Sequence, residues 1–111
     1  KMKILEIEND DMGSSNGTCL QGKTFTTYYD LVDKFGEPTF ENGDKTTCEW
    51  VLTFKVQDDD SDDPDDWGYE TATIYDWKEV ETPMGQYGWN VGGNSYRAVE
   101  LVDQAMEVEH A

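Results

Sequence analysis

One strictly alternating run constrains the fold of this 111-residue chain more than any other feature of its sequence. In residues 48–57, every second side chain is apolar or a cysteine, and most of the side chains between them are polar. Successive side chains of a strand point to opposite faces, so this run predicts a strand with one face in the core. The core positions are Cys48, Trp50, Leu52, Phe54 and Val56.

A second strand is predicted at residues 69–80, with Ala72 and Ile74 on one face and Tyr75 and Trp77 on the other. Between the two strands lies a segment dense in aspartate, the acidic loop of residues 58–68. Two strands that follow each other in this way predict an antiparallel hairpin. The loop exceeds the roughly two to five residues that are usual in hairpins, and long loops are often functional.

A helix is predicted on each side of this hairpin in the sequence. Residues 28–35 have one apolar stripe at helical spacing, with Thr27 placed to cap the helix and Gly36 to end it. Asn94 or Ser95 is placed to cap the second helix. Its apolar stripe consists of Ala98, Leu101, Val102, Ala105 and Met106.

The remaining segments complete the predicted fold. A strand at residues 2–8 and a short one at 18–21 precede the first helix, and the Gly-rich residues 88–95 are interpreted as a tight turn into the second helix. The predicted order is β-(β)-α-β-β-α. We therefore expect one α+β domain over residues 1–111, a small antiparallel sheet with two helices packed on one face.

Charge gives the main expectation about function. The chain has 25 acidic and 8 basic side chains, a formal net charge of -17, and residues 56–111 contain 15 of the acids. Such a surface repels nucleic acid but suits a protein with a basic groove. Duplex DNA presents one charge per about 1.7 Å of axis, a density that a row of aspartates approaches. We predict a nucleic-acid decoy that binds through Asp58, Asp59, Asp60, Asp62, Asp63, Asp65 and Asp66, with Trp67 as an anchor.

An aromatic surface is the first alternative to the decoy. Tyr75 and Trp77 are expected on the outer face of the hairpin, with Trp67 and Tyr69 beside them at the end of the acidic loop. Aromatic rings surrounded by carboxylates suit contact with a partner's arginine and lysine side chains. A helix that covers this face would remove the alternative.

A weak divalent-ion site in the acidic loop is the second alternative. Asp58, Asp60 and Asp62 match the first ligand positions of an EF-hand loop. The match then fails, because Asp63 replaces the required glycine and Tyr69 the required glutamate. We therefore expect no EF-hand and no resident metal.

The sequence favours a binding protein over an enzyme. His110 is the only histidine, so catalysis by a histidine base is not expected, and no cofactor is expected either. Cys19 and Cys48 lack the spacing of metal ligands and are expected to be free thiols. No apolar run approaches the about 20 residues of a membrane span, and the charged N-terminal residues do not resemble a signal peptide. These features favour a cytoplasmic location.

Five segments carry a resemblance to known proteins: TYYDLVDKFGEP at 27–38, CEWVLTF at 48–54, ATIYDW at 72–77, WNVGG at 89–93 and AVELV at 98–102. Together they resemble small uncharacterised acidic proteins of bacteriophages. The first helix and the Trp-bearing strand after it are also similar to the helix-then-sheet unit of the beta-lactamase-inhibitor-like fold. Phages commonly carry small acidic proteins that block CRISPR effectors or restriction enzymes by DNA mimicry. The resemblance thus implies an inhibitor in the host cytoplasm, with a host nucleic-acid-binding protein as its partner.

Overall fold

The computed structural model describes residues 2–10 and 17–107. These residues form a six-stranded antiparallel sheet and two helices, so the predicted α+β class is confirmed. In chain order the elements are β1 (Met2–Asn9), β2 (Cys19–Thr26), α1 (Tyr28–Phe35), β3 (Phe40–Glu41), β4 (Cys48–Asp58), β5 (Gly68–Tyr75), β6 (Tyr87–Gly93) and α2 (Arg97–Glu107).

The strands are arranged in the order β1-β4-β5-β6-β2, and the short β3 also pairs with β4. Strands β4 and β5 form the antiparallel hairpin that the sequence predicts, with Trp50 opposite Ile74 and Leu52 opposite Ala72. The predicted end of β5 at residue 80 is wrong. The strand ends at Tyr75, and Lys78, with a left-handed φ of 56°, could not belong to a strand.

The predicted turn at residues 88–95 is wrong, because most of this segment belongs to strand β6. Strand β2 is longer than the predicted 18–21. Glycines in a sequence usually indicate turns. Here they clear space for side chains of neighbouring strands, because a Cβ on Gly88 would lie 2.9 Å from the Phe25 ring. The strand order with β2, β3 and β6 therefore differs from the predicted β-(β)-α-β-β-α.

Both helices pack on one face of the sheet, the core face. Phe35 of α1 meets Phe54 of β4 with ring centroids 6.5 Å apart, and Ala98 of α2 lies against Gly93 of β6. Trp50 and Trp89 contact each other edge to face at 5.6 Å in the centre of this core. Their indole N–H groups are satisfied, since Trp50 donates to Gly36 O at 2.9 Å and Trp89 to Thr26 O at 3.3 Å.

The helix ends follow the predicted signals. The Asp30 N–H donates to Thr27 Oγ1 at 3.1 Å, and Gly36 ends α1 with a φ of 88°. At α2, the Arg97 N–H donates to Ser95 Oγ at 3.2 Å, so Ser95 is the capping residue. The predicted apolar stripe of α2 is buried in the core. No described helix covers the opposite face of the sheet, which we call the open face.

Candidate interaction surfaces

The acidic loop projects from the end of the sheet where β4 passes into β5. All seven of its aspartates and Trp67 are exposed. Two β-turns order the backbone, since the Ser61 N–H donates to Asp58 O and the Asp66 N–H to Asp63 O, both at 3.0 Å. Asp63 and Pro64 occupy the first two positions of the second turn, where these residue types are favoured.

Three of the loop aspartates hold this backbone in place. Asp58 Oδ1 accepts the Asp60 N–H at 3.1 Å, and Asp63 Oδ1 accepts the Asp65 N–H at 2.9 Å. Asp66 Oδ2 accepts the Ser61 hydroxyl at 2.8 Å. Within residues 2–10 and 17–107, four loop carboxylates make no hydrogen bond or ion pair: Asp59, Asp60, Asp62 and Asp65.

The outer side of α2 extends the acidic surface. Glu100, Asp103 and Glu107 are exposed and lie along one side of the helix, because they are three and then four residues apart. Asp58 and Glu100 line the same cleft of about 210 Å³, so the loop and the helix form one continuous surface. We call this surface, the seven loop aspartates with the three α2 acids, the acidic ridge.

Few cations offset the acidic ridge. Arg97 lines the cleft between Asp58 and Glu100 and pairs with Glu70, with Nη1 and Oε1 3.5 Å apart. Partial burial of the otherwise exposed Asp103 raises the pKa of its carboxyl, a hydrogen bond of 3.0 Å from the Thr24 hydroxyl opposes the shift, and the nearby Glu107 adds to it. The ridge is therefore a field of like charges that favours an oppositely charged partner.

A second surface lies on the open face, at the end of the sheet away from the acidic loop. A trough of about 740 Å³ lies above Gly88 and Asn90 of β6, between side chains of β2 and β5. Its apolar lining is exposed, with Phe25 at 76%, Leu20 at 58% and Trp77 at 48%. We call it the aromatic trough; its apolar and aromatic side chains are Leu20, Phe25, Tyr75, Trp77 and Tyr87.

The aromatic trough differs from the single aromatic patch expected from sequence. Tyr75 and Trp77 do line it, with ring centroids 6.3 Å apart. Trp67 and Tyr69 form a separate pair beside the acidic loop, 5.3 Å apart. Six residues of strand, about 20 Å, separate Tyr69 from Tyr75, so the predicted patch is split in two.

Sequence reasoning missed Leu20 and Phe25 as members of the trough. Both belong to β2, of which only the first residues were predicted as strand. The available signal was the alternation of Lys23 and Phe25 with Thr24 and Thr26, whose side chains are buried on the core face. Threonine and glycine obscured that alternation, because both are also common in loops.

Charges are balanced around the aromatic trough. The trough and the two clefts beside it are lined by three acids and three lysines: Asp44, Glu49, Glu79, Lys23, Lys45 and Lys78. Glu79 accepts the Tyr87 hydroxyl at 3.0 Å, and burial raises the pKa of Glu49. The trough therefore offers a partner apolar contact with little net charge, unlike the ridge.

Other chemistry is sparse within the described residues. They contain no group of three or more His, Cys, Asp or Glu side chains arranged to hold a metal ion. Cys19 and Cys48 are free thiols, as predicted. Burial raises the pKa of Cys48 to about 11, so this thiol stays protonated and unreactive near neutral pH. His110 and Glu109 lie outside the described residues.

No family model, curated protein or solved structure matches this chain. The resemblances to phage proteins and to the beta-lactamase-inhibitor-like fold therefore stay expectations. Neither helix in the part of the chain that the structure describes has the length and apolarity to cross a lipid bilayer.

Proposed function

We propose that this protein is a phage inhibitor of a host nucleic-acid-binding defence protein, such as a CRISPR effector or a restriction enzyme, and that its acidic ridge mimics DNA. The proposal rests on one observation: the acidic loop adjoins the acidic side of α2. The loop has an ordered backbone and four carboxylates without a hydrogen bond or ion pair in the described residues. An array of charge that is ordered before binding loses little entropy when it binds.

The mechanism is occlusion of a basic groove without turnover. Arginines and lysines that normally contact phosphates would bind the ridge carboxylates instead, and arginine can do so with two parallel hydrogen bonds. Trp67 stands beside these carboxylates as an anchor for a cation. The Trp67 ring already contacts one cation of this chain, since Lys55 Nζ lies 4.2 Å from the ring centroid.

The test uses a ridge variant in which only the unpaired carboxylates are neutralised: Asp59→Asn, Asp60→Asn, Asp62→Asn and Asp65→Asn. The DNA-binding proteins of a bacterial lysate are loaded on DNA-cellulose at low salt, and the inhibitor is added as eluent. We expect the intact protein to release a defined protein by competition. The ridge variant should release at least roughly tenfold less of it, because charge complementarity drives this binding.

A control variant separates the ridge from net charge. It neutralises four exposed acids elsewhere: Glu6→Gln, Glu8→Gln, Asp33→Asn and Glu81→Gln. Both variants have the same net charge, so equal losses would mean that only total charge matters and that the ridge is not a mimic. Full release by the ridge variant would also contradict the proposal.

The second candidate function is a protein-interaction module that binds through the aromatic trough. The exposure of Leu20, Phe25 and Trp77 favours it. Binding through the trough should barely respond to salt, whereas binding through the ridge should weaken steeply. The divalent-ion alternative has no preformed set of ligands in the described residues, and its sign would be a rise of the melting temperature on addition of calcium.

A further inference from the structure

The two outer strands of the sheet differ in how their edges are protected. Within the described residues, β2 pairs only with β6, and β1 pairs only with β4, so each strand has a side whose backbone groups are unpaired. Proteins usually block such edges with charged side chains. Strand β1 has three, Lys3, Glu6 and Glu8, whereas β2 has only Lys23.

Lys23 does not protect the edge of β2. Its Nζ donates to Asn90 Oδ1 at 3.2 Å, and Asn90 is its direct partner on β6. The side chain therefore turns inward over the sheet and away from the edge. A lysine that blocks an edge extends beyond the strand into solvent. A register shift between Leu20 and Gly22 interrupts β2, so its regular edge with no charge directed outward is the segment of residues 22–26.

Apolar side chains of the aromatic trough stand directly beside this edge. Leu20 and Phe25 belong to β2 and are exposed on the open face. A strand added next to residues 22–26 would direct every second side chain to the same face, within cross-strand contact of Phe25, and Leu20 lies on that face beyond the register shift. The free backbone and the exposed side chains therefore suit the same occupant, an extended polypeptide.

Charge defines this occupant further. The chain carries a net charge of -17, so an acidic segment, or a second copy of the chain, would be repelled. Strand β2 itself has no acidic residue, and the charges around the trough are balanced. Strand β2 carries one charge, Lys23, and its Thr24 donates a hydrogen bond to the acid Asp103, so an acid-free segment is favoured over an acidic one.

We propose that the outer edge of β2, at residues 22–26, docks an extended, acid-free segment of a partner protein, which adds a strand to the sheet and places an apolar side chain against Phe25. This is strand addition, in which main-chain hydrogen bonds supply affinity and alternate side chains supply specificity. The acidic ridge reaches β2 through the Asp103 contact with Thr24 on the core face, whereas the proposed site uses the outer edge and the open face, so it does not depend on DNA mimicry.

The test begins with a random peptide library displayed on phage and selected against the intact protein. We expect enriched peptides with apolar residues at alternate positions and without acids. The strongest peptide is then synthesised in two forms, N-methylated at the odd or at the even backbone nitrogens. Only one set of N–H groups faces β2 in an added strand, so one form should lose at least roughly tenfold in affinity and the other should retain it.

Two matched variants place the peptide on β2. Phe25→Ala should weaken peptide binding at least roughly tenfold, whereas Leu5→Ala, an exposed apolar residue of β1, should leave it unchanged. The ridge variant should bind the peptide as the intact protein does, which separates this site from the proposed inhibitor function. Failure to enrich any peptide, equal effects of the two methylated forms, or equal losses in Phe25→Ala and Leu5→Ala would overturn the proposal.

Discussion

Carboxylates have opposite surroundings at the two ends of this sheet. In the acidic ridge, Asp59 and Asp62 are exposed and make no hydrogen bond within the described residues. At the end of the sheet near the aromatic trough, Asp76 directly follows β5 and is completely buried. Its Oδ1 accepts the N–H groups of Thr47 at 2.8 Å and Cys48 at 3.4 Å, and its Oδ2 accepts the Thr47 hydroxyl at 2.5 Å.

This difference separates two uses of the same chemical group. A buried carboxylate that accepts several hydrogen bonds stabilises the fold, because removing it leaves those donors unsatisfied. A solvent-exposed carboxylate among like charges adds repulsion to the folded state, and it makes a favourable interaction only when a cationic partner binds. Neutralising Asp76 and neutralising the ridge acids should therefore have opposite effects on stability.

The largest effect is expected for Asp76→Ala. Two backbone N–H groups and a hydroxyl would lose their acceptor, and each unsatisfied buried group costs about 1–3 kcal/mol, so we expect a loss of about 3 kcal/mol or more in the free energy of unfolding. Urea denaturation measures this change. Asp76→Asn keeps one acceptor oxygen and should lose less. A loss below about 1 kcal/mol for Asp76→Ala would show that water replaces the carboxylate, and the contrast with the ridge would fail.

The sequence predicts the end of the sheet with the acidic loop better than the end with the aromatic trough. The alternation of β4 and the aspartate run define the hairpin and its loop, because a strand and a turn are read from neighbouring residues. Asp76 shares the parity of Ala72 and Ile74, which was a signal that it faces the core. Its partners Thr47 and Cys48 are distant in sequence, and their approach depends on tertiary packing.

The trough was unpredictable for the same reason. Trp89 and Val91 alternate as a strand does, but the glycines around them indicate a turn when they are read locally. The role of these glycines becomes visible only in the folded chain, where Phe25, which is distant in sequence, lies over Gly88 and the helix residue Ala98 lies over Gly93. Tertiary contacts decide whether such a segment is a strand, because strand propensity depends strongly on context.

The next effect compares glycines on the two faces of β6. A Cβ on Gly93 would meet the Ala98 side chain of α2 and Thr71 O, the latter at 3.2 Å. Because backbone and helix cannot move aside cheaply, Gly93→Ala should lower the free energy of unfolding by about 1–3 kcal/mol. Gly88→Ala meets only the flexible Phe25 ring and should cost less. Gly85→Ala, whose added methyl group would have no atom within 4 Å, is the control, and equal losses in all three would contradict this account.

A smaller, pH-dependent effect is expected for Glu49→Gln beside the trough. Burial raises the pKa of Glu49, so the folded state holds its proton more tightly than the unfolded state does. The cost of the charge is therefore present above the raised pKa and disappears below about pH 4, the ordinary range of a glutamate. The variant should be more stable near pH 7, by well under about 1 kcal/mol because solvent screens this half-exposed group, and equal in stability at low pH.

Urea denaturation of the variant and the intact protein across this pH range measures the difference. NMR titration of the Glu49 carboxyl carbon checks the direction of its pKa independently. A stability difference that grows as the pH falls would contradict the assignment, because it would mean that the charged form of Glu49 is the stabilised one.

The smallest effect, and the one that most directly tests the comparison, is expected for the ridge variant. Relief of repulsion among exposed aspartates should raise its melting temperature by about 1–2 °C at low salt, and screening should abolish the gain at high salt. The control variant with acids neutralised on β1, α1 and the loop at residue 81 should gain less, since those acids are dispersed. A lower melting temperature for the ridge variant would mean that its four carboxylates hold the loop as Asp76 holds the trough end, and the ridge would then be a structural element instead of a surface kept for a partner.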